Sequence, residues 1–339
     1  MHTLLLDSDA VRANAPIVDL IAAIEDAFGA YQRGDAQMPA KSYIDLPEYN
    51  GDFRSMPAYL RVRGDAAERT DDGWDAAGVK WVNVHTDNQR EYGLPTVLGT
   101  MIYSDPKTAF PLAIMDGREL TLLRTGAAAA VATDYLAIEN ASSLGIVGAG
   151  VQSYSQLEAI AAIRPIEEVV ISDVDADRAA TFIEQFADRF EIRAGSVAEA
   201  AGCDVLSTVT PVESPIVDRD DVGEHTHINA IGADAAGKHE LADQILLDAK
   251  LVIDDYEQTI HSGEINVPYS TGVLTDSDIY SSLGEIVVGD KEGRTVDDGI
   301  SVFDSTGLAI QDVAAAHVVY NLADKNDNGT PFDLLGLAD

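Results

Sequence analysis

A single cysteine, Cys203, in 339 residues rules out an internal disulfide framework and suits a reducing, cytoplasmic compartment. Within Ala-Gly-Cys-Asp-Val it reads as a small core residue. Basic side chains are also scarce: 22 Lys and Arg stand against 58 Asp and Glu, a formal net charge of −36. Nucleic acid and anionic membrane surfaces are thereby excluded as partners. Nowhere do eighteen apolar residues run unbroken, and Leu4-Leu5-Leu6 before Asp7 is too short for a signal-peptide core. A Ser-His-Asp arrangement, a Walker loop and a zinc signature are all missing. His225 and His227 stand two residues apart, but no Cys or third His accompanies them at ligand spacing. They read as structural, and no metal is expected.

What is present is a globular chain long enough for two domains, with 46% hydrophobic residues. The acids are spread along it, as at Asp71-Asp72, Asp173 to Asp177, Asp218 to Asp221 and Asp324 to Asp327, rather than gathered into one tail. Such a solvated acidic surface points to an organism with a high internal salt concentration.

One stretch organises the rest. In Ser142-Ser-Leu-Gly-Ile-Val-Gly-Ala-Gly-Val-Gln-Ser153, the residues Leu144, Ile146 and Val147 form a short buried strand. Gly148 and Gly150 permit a tight turn with close backbone approach, and Ser153 is the small residue where helix packs on strand. A helix beginning near Val151 would offer free N–H groups to a pyrophosphate. About twenty residues on, the apolar strand Val169-Val-Ile-Ser ends in Asp173, where a ribose hydroxyl would be bound. A 2′-phosphate would meet like charge there, so NAD is favoured over NADP.

Before this turn, a helix is expected over 16–33, followed by strands at 42–46, 58–62, 78–84, 96–103 and 111–115 and a helix from Glu119. This half reads as a mainly antiparallel sheet with a helix on one face. After the turn, strands and helices alternate as a parallel sheet requires. Residues 307–322 read as a long amphipathic helix returning the chain to the first domain, with a surface tail from Asp324. The fold class is α/β: a Rossmann-type NAD-binding domain over 125–310, and a discontinuous α+β domain over 1–124 and 311–339 for substrate binding and dimerisation.

Three charged residues stand in apolar settings. Arg124 enters an alanine-rich helix and needs an anionic partner, whether a structural acid or a ligand. Lys80 lies on a strand between Val79 and Trp81 and faces either solvent, the usual fate of a strand lysine, or a lined cavity. Asp234 closes an apolar strand and either faces a ligand crevice or is a surface loop acid.

Six motifs occur in an order that resembles the ornithine cyclodeaminase/μ-crystallin family. They are Gly78-Val-Lys-Trp-Val-Asn-Val-His85, Gly93-Leu-Pro-Thr96, Leu123-Arg-Thr-Gly-Ala127, Gly148-Ala-Gly-Val-Gln-Ser153, Ile228 to Asp234 with Gly237-Lys238, and Phe303 to Asp312. The resemblance implies a homodimer of two-domain subunits, with a small substrate in the cleft. It makes Lys80 and Asp234 the proton-handling pair and gives Arg124 a carboxylate or a cofactor phosphate. The cofactor contacts it implies are Gly148, Gly150, Val151, Gln152, Asp173, Thr210, Asn229, Ala230, Ile231, Lys238, Ser305 and Thr306, with Thr125 adding a phosphate contact at a helix terminus. Ornithine cyclodeaminases carry an acid before a Met-Pro dipeptide; this chain has Arg54 in Phe53-Arg-Ser-Met-Pro57, which would repel a distal amine. With Lys41 in Pro39-Ala-Lys-Ser, it is similar to the archaeal alanine dehydrogenase branch. Lys41, Arg54 and Arg124 are then expected to hold the carboxylate of a small L-amino acid in an NAD-dependent dehydrogenase, with alanine as substrate. Ornithine cyclodeamination, ketimine reduction and non-catalytic ligand binding are the rival expectations.

Overall fold

The computed structural model describes residues 2–63 and 73–337; Asp71 and Asp72 lie outside them. In chain order the elements are β1 Thr3–Leu6, α1 Ser8–Ala13, α2 Ile17–Gln32, β2 Ala36–Gln37, β3 Ser42–Leu46, β4 Gly51–Val62, β5 Trp74–His85, α3 Asn88–Tyr92, β6 Val97–Ser104, β7 Pro111–Asp116 and α4 Gly117–Leu136. There follow β8 Ser143–Val147, α5 Val151–Ile163, β9 Glu168–Ser172, α6 Ala176–Phe186, β10 Glu191–Ala194, α7 Val197–Ala201, β11 Val205–Thr208, β12 His227–Ala230, α8 Asp243–Asp248 and β13 Lys250–Ile253. The chain ends with α9 Tyr256–Ser262, α10 Asn266–Ser270, β14 Ile279–Ser282, α11 Leu283–Val287, β15 Ser301–Asp304, α12 Ala309–Lys325 and β16 Thr330–Phe332. Among the described residues no helix is long and apolar enough to cross a membrane.

The chain divides into two compact units, residues 1–124 with 308–339, and residues 125–307. In the first, the sheet order is β16-β1-β7-β6-β5-β4-β2, with β3 paired to β4. It is antiparallel except where β1 runs parallel to β7. Alternation sets its two faces. Met56, Ala58, Leu60 and Val62 of β4, with Ala76 and Val82 of β5, are buried, and α2 and α12 cover them. The other face carries Pro57, Val79, Ile102 and Ile114 in cross-strand register and leaves Trp81 and Ile102 exposed, with Phe53 stacked on Trp81.

Two expectations for this unit change. The last long helix is not amphipathic: every residue from Ala309 to Ala316 is buried, because α12 is clasped by α2 and the sheet. Nor is the segment after Asp324 only a tail, since Thr330–Phe332 pairs with β1 and adds an antiparallel edge strand. Three residues are too few for periodicity to disclose a strand.

The second unit is a parallel sheet of order β10-β9-β8-β11-β12-β15-β13-β14. Leu144, Leu157, Ile160, Phe182 and Phe186 form one apolar cluster, and Leu206, Ile228, Ile245, Leu251 and Val302 belong to another. Strand order reverses between β8 and β11, so the loops beyond their carboxyl ends border the crevice where ligands bind in open sheets of this kind.

Candidate active site and dinucleotide cradle

Lys80 is buried, at 1% exposure, rather than solvent-facing. Alternation puts it on the covered face of β5 with Ala76 and Val82, while Val79 and Trp81 point the other way. The covering helices supply its partners. Its Nζ donates to Asp312 Oδ1 of α12 at 2.8 Å and to Thr121 Oγ1 of α4 at 3.1 Å. Arg124, also on α4 and also buried, donates from Nε to the same Asp312 oxygen at 3.0 Å and from Nη1 to Gln311 Oε1 at 2.8 Å. Asp312 Oδ2, fully buried, accepts no hydrogen bond.

Burial pushes the Lys80 amine down to about 7; Asp312 opposes the fall, and the charges of Arg124 and Lys41 add to it. Two cations thus share one anion in a desolvated site, with one positive charge in excess. Such a site suits a carboxylate and can hold or release a proton near neutrality.

Sequence reasoning does not single out Asp312, one acid among 58. A signal was available: an acid set among the apolar residues Ala309, Ile310, Val313 and Ala314 of a helix is placed to be buried and must then find a cation. Arg54 is held elsewhere. Its Nε and Nη2 lie 2.9 Å from Asp52 Oδ2, and its guanidinium stands 5.6 Å from the Tyr43 ring centroid. Lys41, half-buried, reaches Lys80 through its field.

In the second unit the glycine turn is built as its residue types require. Gly148 takes φ +103°, a left-handed value, and a Cβ there would come within 3.0 Å of Val209 O. Gly150 caps α5 with no side-chain bond to the first-turn N–H groups, and the space over it is open. Val151 and Gln152 form that first turn. Asp173, just past β9, accepts the Ala149 N–H at 2.6 Å and the Asp175 N–H at 2.7 Å, so the carboxylate is tied to the turn.

The loops beyond the other strands are fixed by buried acids. Glu240 accepts the N–H and hydroxyl of Thr210, at 2.8 and 2.7 Å, and the Gly232 N–H at 3.0 Å. Glu264 accepts the N–H groups of Glu240 and Leu241, and Asp304 those of Glu264 and Ile265. Asp254 accepts the N–H groups of Thr306 and Gly307 at 2.6 and 2.9 Å, and a long bond from the Ser305 hydroxyl at 3.4 Å. Burial raises the carboxyl groups of Glu240 and Glu264 and pushes Asp304 up to about 8. Sequence reasoning does not single out these four acids; Asp254 and Asp304 stand at the ends of β13 and β15, and Glu240 and Glu264 lie outside any strand.

Asn229, Ala230 and Ile231 are buried at the end of β12, and the Asn229 amide donates to Thr133 Oγ1 at 2.9 Å. Asp234 is half-buried and paired with Lys238. His227 is buried between Ser301 Oγ and Asn229 Oδ1, and burial lowers its pKa to about 3, so it is neutral. Thr125 is a correction. It lies in the interior of α4, not at a terminus, because Asp116 caps the Glu119 N–H and the helix begins at Gly117. Its backbone N–H is therefore not among the free donors of a first turn.

Known proteins resemble this chain over nearly its whole length. The family model described as ornithine cyclodeaminase/mu-crystallin family matches residues 1–327. Alanine dehydrogenase of Archaeoglobus fulgidus is 46% identical over 328 residues, covering 96% of this chain and 97% of that protein. An archaeal alanine dehydrogenase dimer solved with bound NAD superposes with a TM-score of 0.91 at 44% identity, over 99% of this chain and 100% of its own. The Δ1-pyrroline-2-carboxylate reductase of Thermococcus litoralis, solved with NADH and L-proline, gives 0.89 at 34% identity, covering 97% and 99%.

Proposed function

The chain belongs to the ornithine cyclodeaminase/mu-crystallin family, and on that premise we propose that it is an NAD-dependent dehydrogenase interconverting L-alanine with pyruvate and ammonium. The observation that carries the reading is the buried Lys80–Asp312–Arg124 cluster, with its excess positive charge and an amine near its midpoint at neutral pH. Arg124 binds the substrate carboxylate, with Lys41 adding positive field. Lys80 takes and returns protons as water adds to the imine and ammonia leaves, and Asp234 serves as the second proton carrier by family resemblance. Arg54, although held by Asp52, replaces the acid that a diamino substrate would need.

The residues of the second unit fit a dinucleotide. The first turn of α5, open over Gly150, suits a pyrophosphate, and the Asp173 carboxylate suits ribose hydroxyls and repels a 2′-phosphate. Val151, Gln152, Thr210, Ile231, Lys238, Ser305 and Thr306 are its further contacts. Bound NAD supplies the hydride acceptor for the substrate Cα–H. The protein works as a homodimer, supported by the dimeric relative and by the exposed apolar face bearing Trp81 and Ile102. Its net charge of −36 suits a salt-rich cytoplasm.

The test is a panel of amino acids, and of oxo acids with ammonia, followed by NADH absorbance in molar KCl. Alanine and pyruvate should lead, with NAD well ahead of NADP. Similarity to the L-proline-bound reductase keeps a second reading, reduction of a cyclic imino acid. Faster turnover of Δ1-pyrroline-2-carboxylate than of pyruvate with ammonia would establish it, and efficient conversion of ornithine to proline would establish the cyclodeaminase instead.

A further inference from the structure

The charge balance around Lys80 has a consequence for how the first unit takes its substrate. Four segments face the Lys80 amine: its own strand β5, α4 with Thr121 and Arg124, α12 with Gln311 and Asp312, and the segment before β3 with Lys41. Of the charged groups that act on the amine, Asp312, Arg124 and Lys41, only Asp312 is negative, and one of its oxygens receives both Lys80 and Arg124. Arginine does not give up its proton in proteins, so any change in the charge of this buried cluster falls on Lys80.

We propose that Asp312 is a positioning residue that leaves the site one positive charge in excess, so that binding of a monocarboxylate at Arg124 and retention of the proton on Lys80 are linked. The inference rests on reading the first unit as the substrate-binding one. With no carboxylate bound, the excess charge is relieved when Lys80 deprotonates. With a carboxylate on Arg124, two cations face two anions and Lys80 keeps its proton. The linkage is reciprocal, so monocarboxylate affinity falls as pH rises through the Lys80 midpoint.

The chain has seven lysines, few enough for a direct titration. The full-length protein labelled with 13C at lysine Cε is titrated by NMR, and Lys80 is identified by the signal lost in Lys80→Arg. A wild-type midpoint near neutrality is expected. Asp312→Asn should move it down by about one to three pH units. Asp312→Glu should stay near the wild type, and Arg124→Gln should move it up. Saturating propionate, an unreactive monocarboxylate, should raise the wild-type midpoint and leave that of Arg124→Gln in place. Equal midpoints in all variants, or Asp312→Asn and Arg124→Gln moving the same way, would overturn the proposal. If Asp312→Asn does not fold, Arg124→Gln and the propionate shift decide it. Absent alanine turnover with these shifts intact sinks the dehydrogenase reading alone; a fixed midpoint with turnover intact sinks the linkage alone.

Discussion

The two units bury acids in opposite ways. In the first, Asp312 is completely buried and neutralised by the cations Lys80 and Arg124. In the second, Glu240, Glu264, Asp304 and Asp254 are as deeply buried, but the donors they meet are chiefly backbone N–H groups and hydroxyls. The first arrangement keeps charge in a dry place, where it can bind an anion and move a proton. The second trades charge for geometry: burial raises the carboxyl groups of Glu240, Glu264 and Asp304, and Glu240 and Asp254 act as clamps on the loops carrying Thr210, Gly232 and Thr306. Burial of an acid therefore marks a reactive site only when the counter-charge is a titratable cation.

Replacing Lys80 is the harshest way to break this contrast. Lys80→Met leaves Arg124 and Asp312 as a balanced pair, so the fold should persist and NADH should still bind with little change in Kd. Turnover should fall by about two to four orders of magnitude, as expected for a lost proton carrier, read from kcat at saturating substrate. Retention of wild-type kcat would remove Lys80 from the chemistry.

Next in size is stability. Asp312→Ala strands the buried Arg124 cation and takes the acid from Lys80, and should cost about 3–5 kcal/mol in urea unfolding. By contrast, Asp304→Asn removes a carboxyl already disposed to be neutral and should cost much less at pH 7. Equal losses would mean that the two clusters are held in the same way.

The pH dependence sharpens the same point. The folded Asp304 carboxyl holds its proton up to about pH 8, whereas the unfolded chain loses it near pH ~4. Its stabilising contribution is therefore full below about pH 4 and is lost as pH rises towards 8, with a slope on the order of 1.4 kcal/mol per pH unit. Thermal unfolding between pH 5 and 8 should show this decline in the wild type and a flatter profile in Asp304→Asn. The smallest expected effect belongs to the surface, where a net charge of −36 repels itself at low ionic strength. The thermal midpoint should climb from dilute to molar KCl, by about 2–4 °C for each kcal/mol of repulsion screened. A flat or falling midpoint would remove the high-salt reading.

What could be read from the sequence was what depends on near neighbours. The turn at Gly148 to Gly150, the helix start at Val151 and the acid at Asp173 lie within one βαβ span, and the strand–helix alternation after them carries its own period. The burial of Lys80 could not be read that way, because alternation assigns a face without saying which face is covered. That is decided by α12, whose Asp312 lies 232 residues further along. The strand at Thr330–Phe332 was hidden for the same reason: its partner is β1, at the other end of the chain.

That separation also bears on synthesis. Residues 125–307 form one unbroken stretch, so that unit has all its strands once Asp304 has emerged from the ribosome. The first unit, though translated first, must wait for Leu308 onward to cover Lys80 and to complete the edge of β1. Until then the amine of Lys80 has neither its acid nor its roof, and a β-sheet stands open along one face. The nascent chain is thus exposed to aggregation longest in the half made earliest, and a stop codon a few dozen residues early would leave the downstream unit whole and the upstream one unfinished.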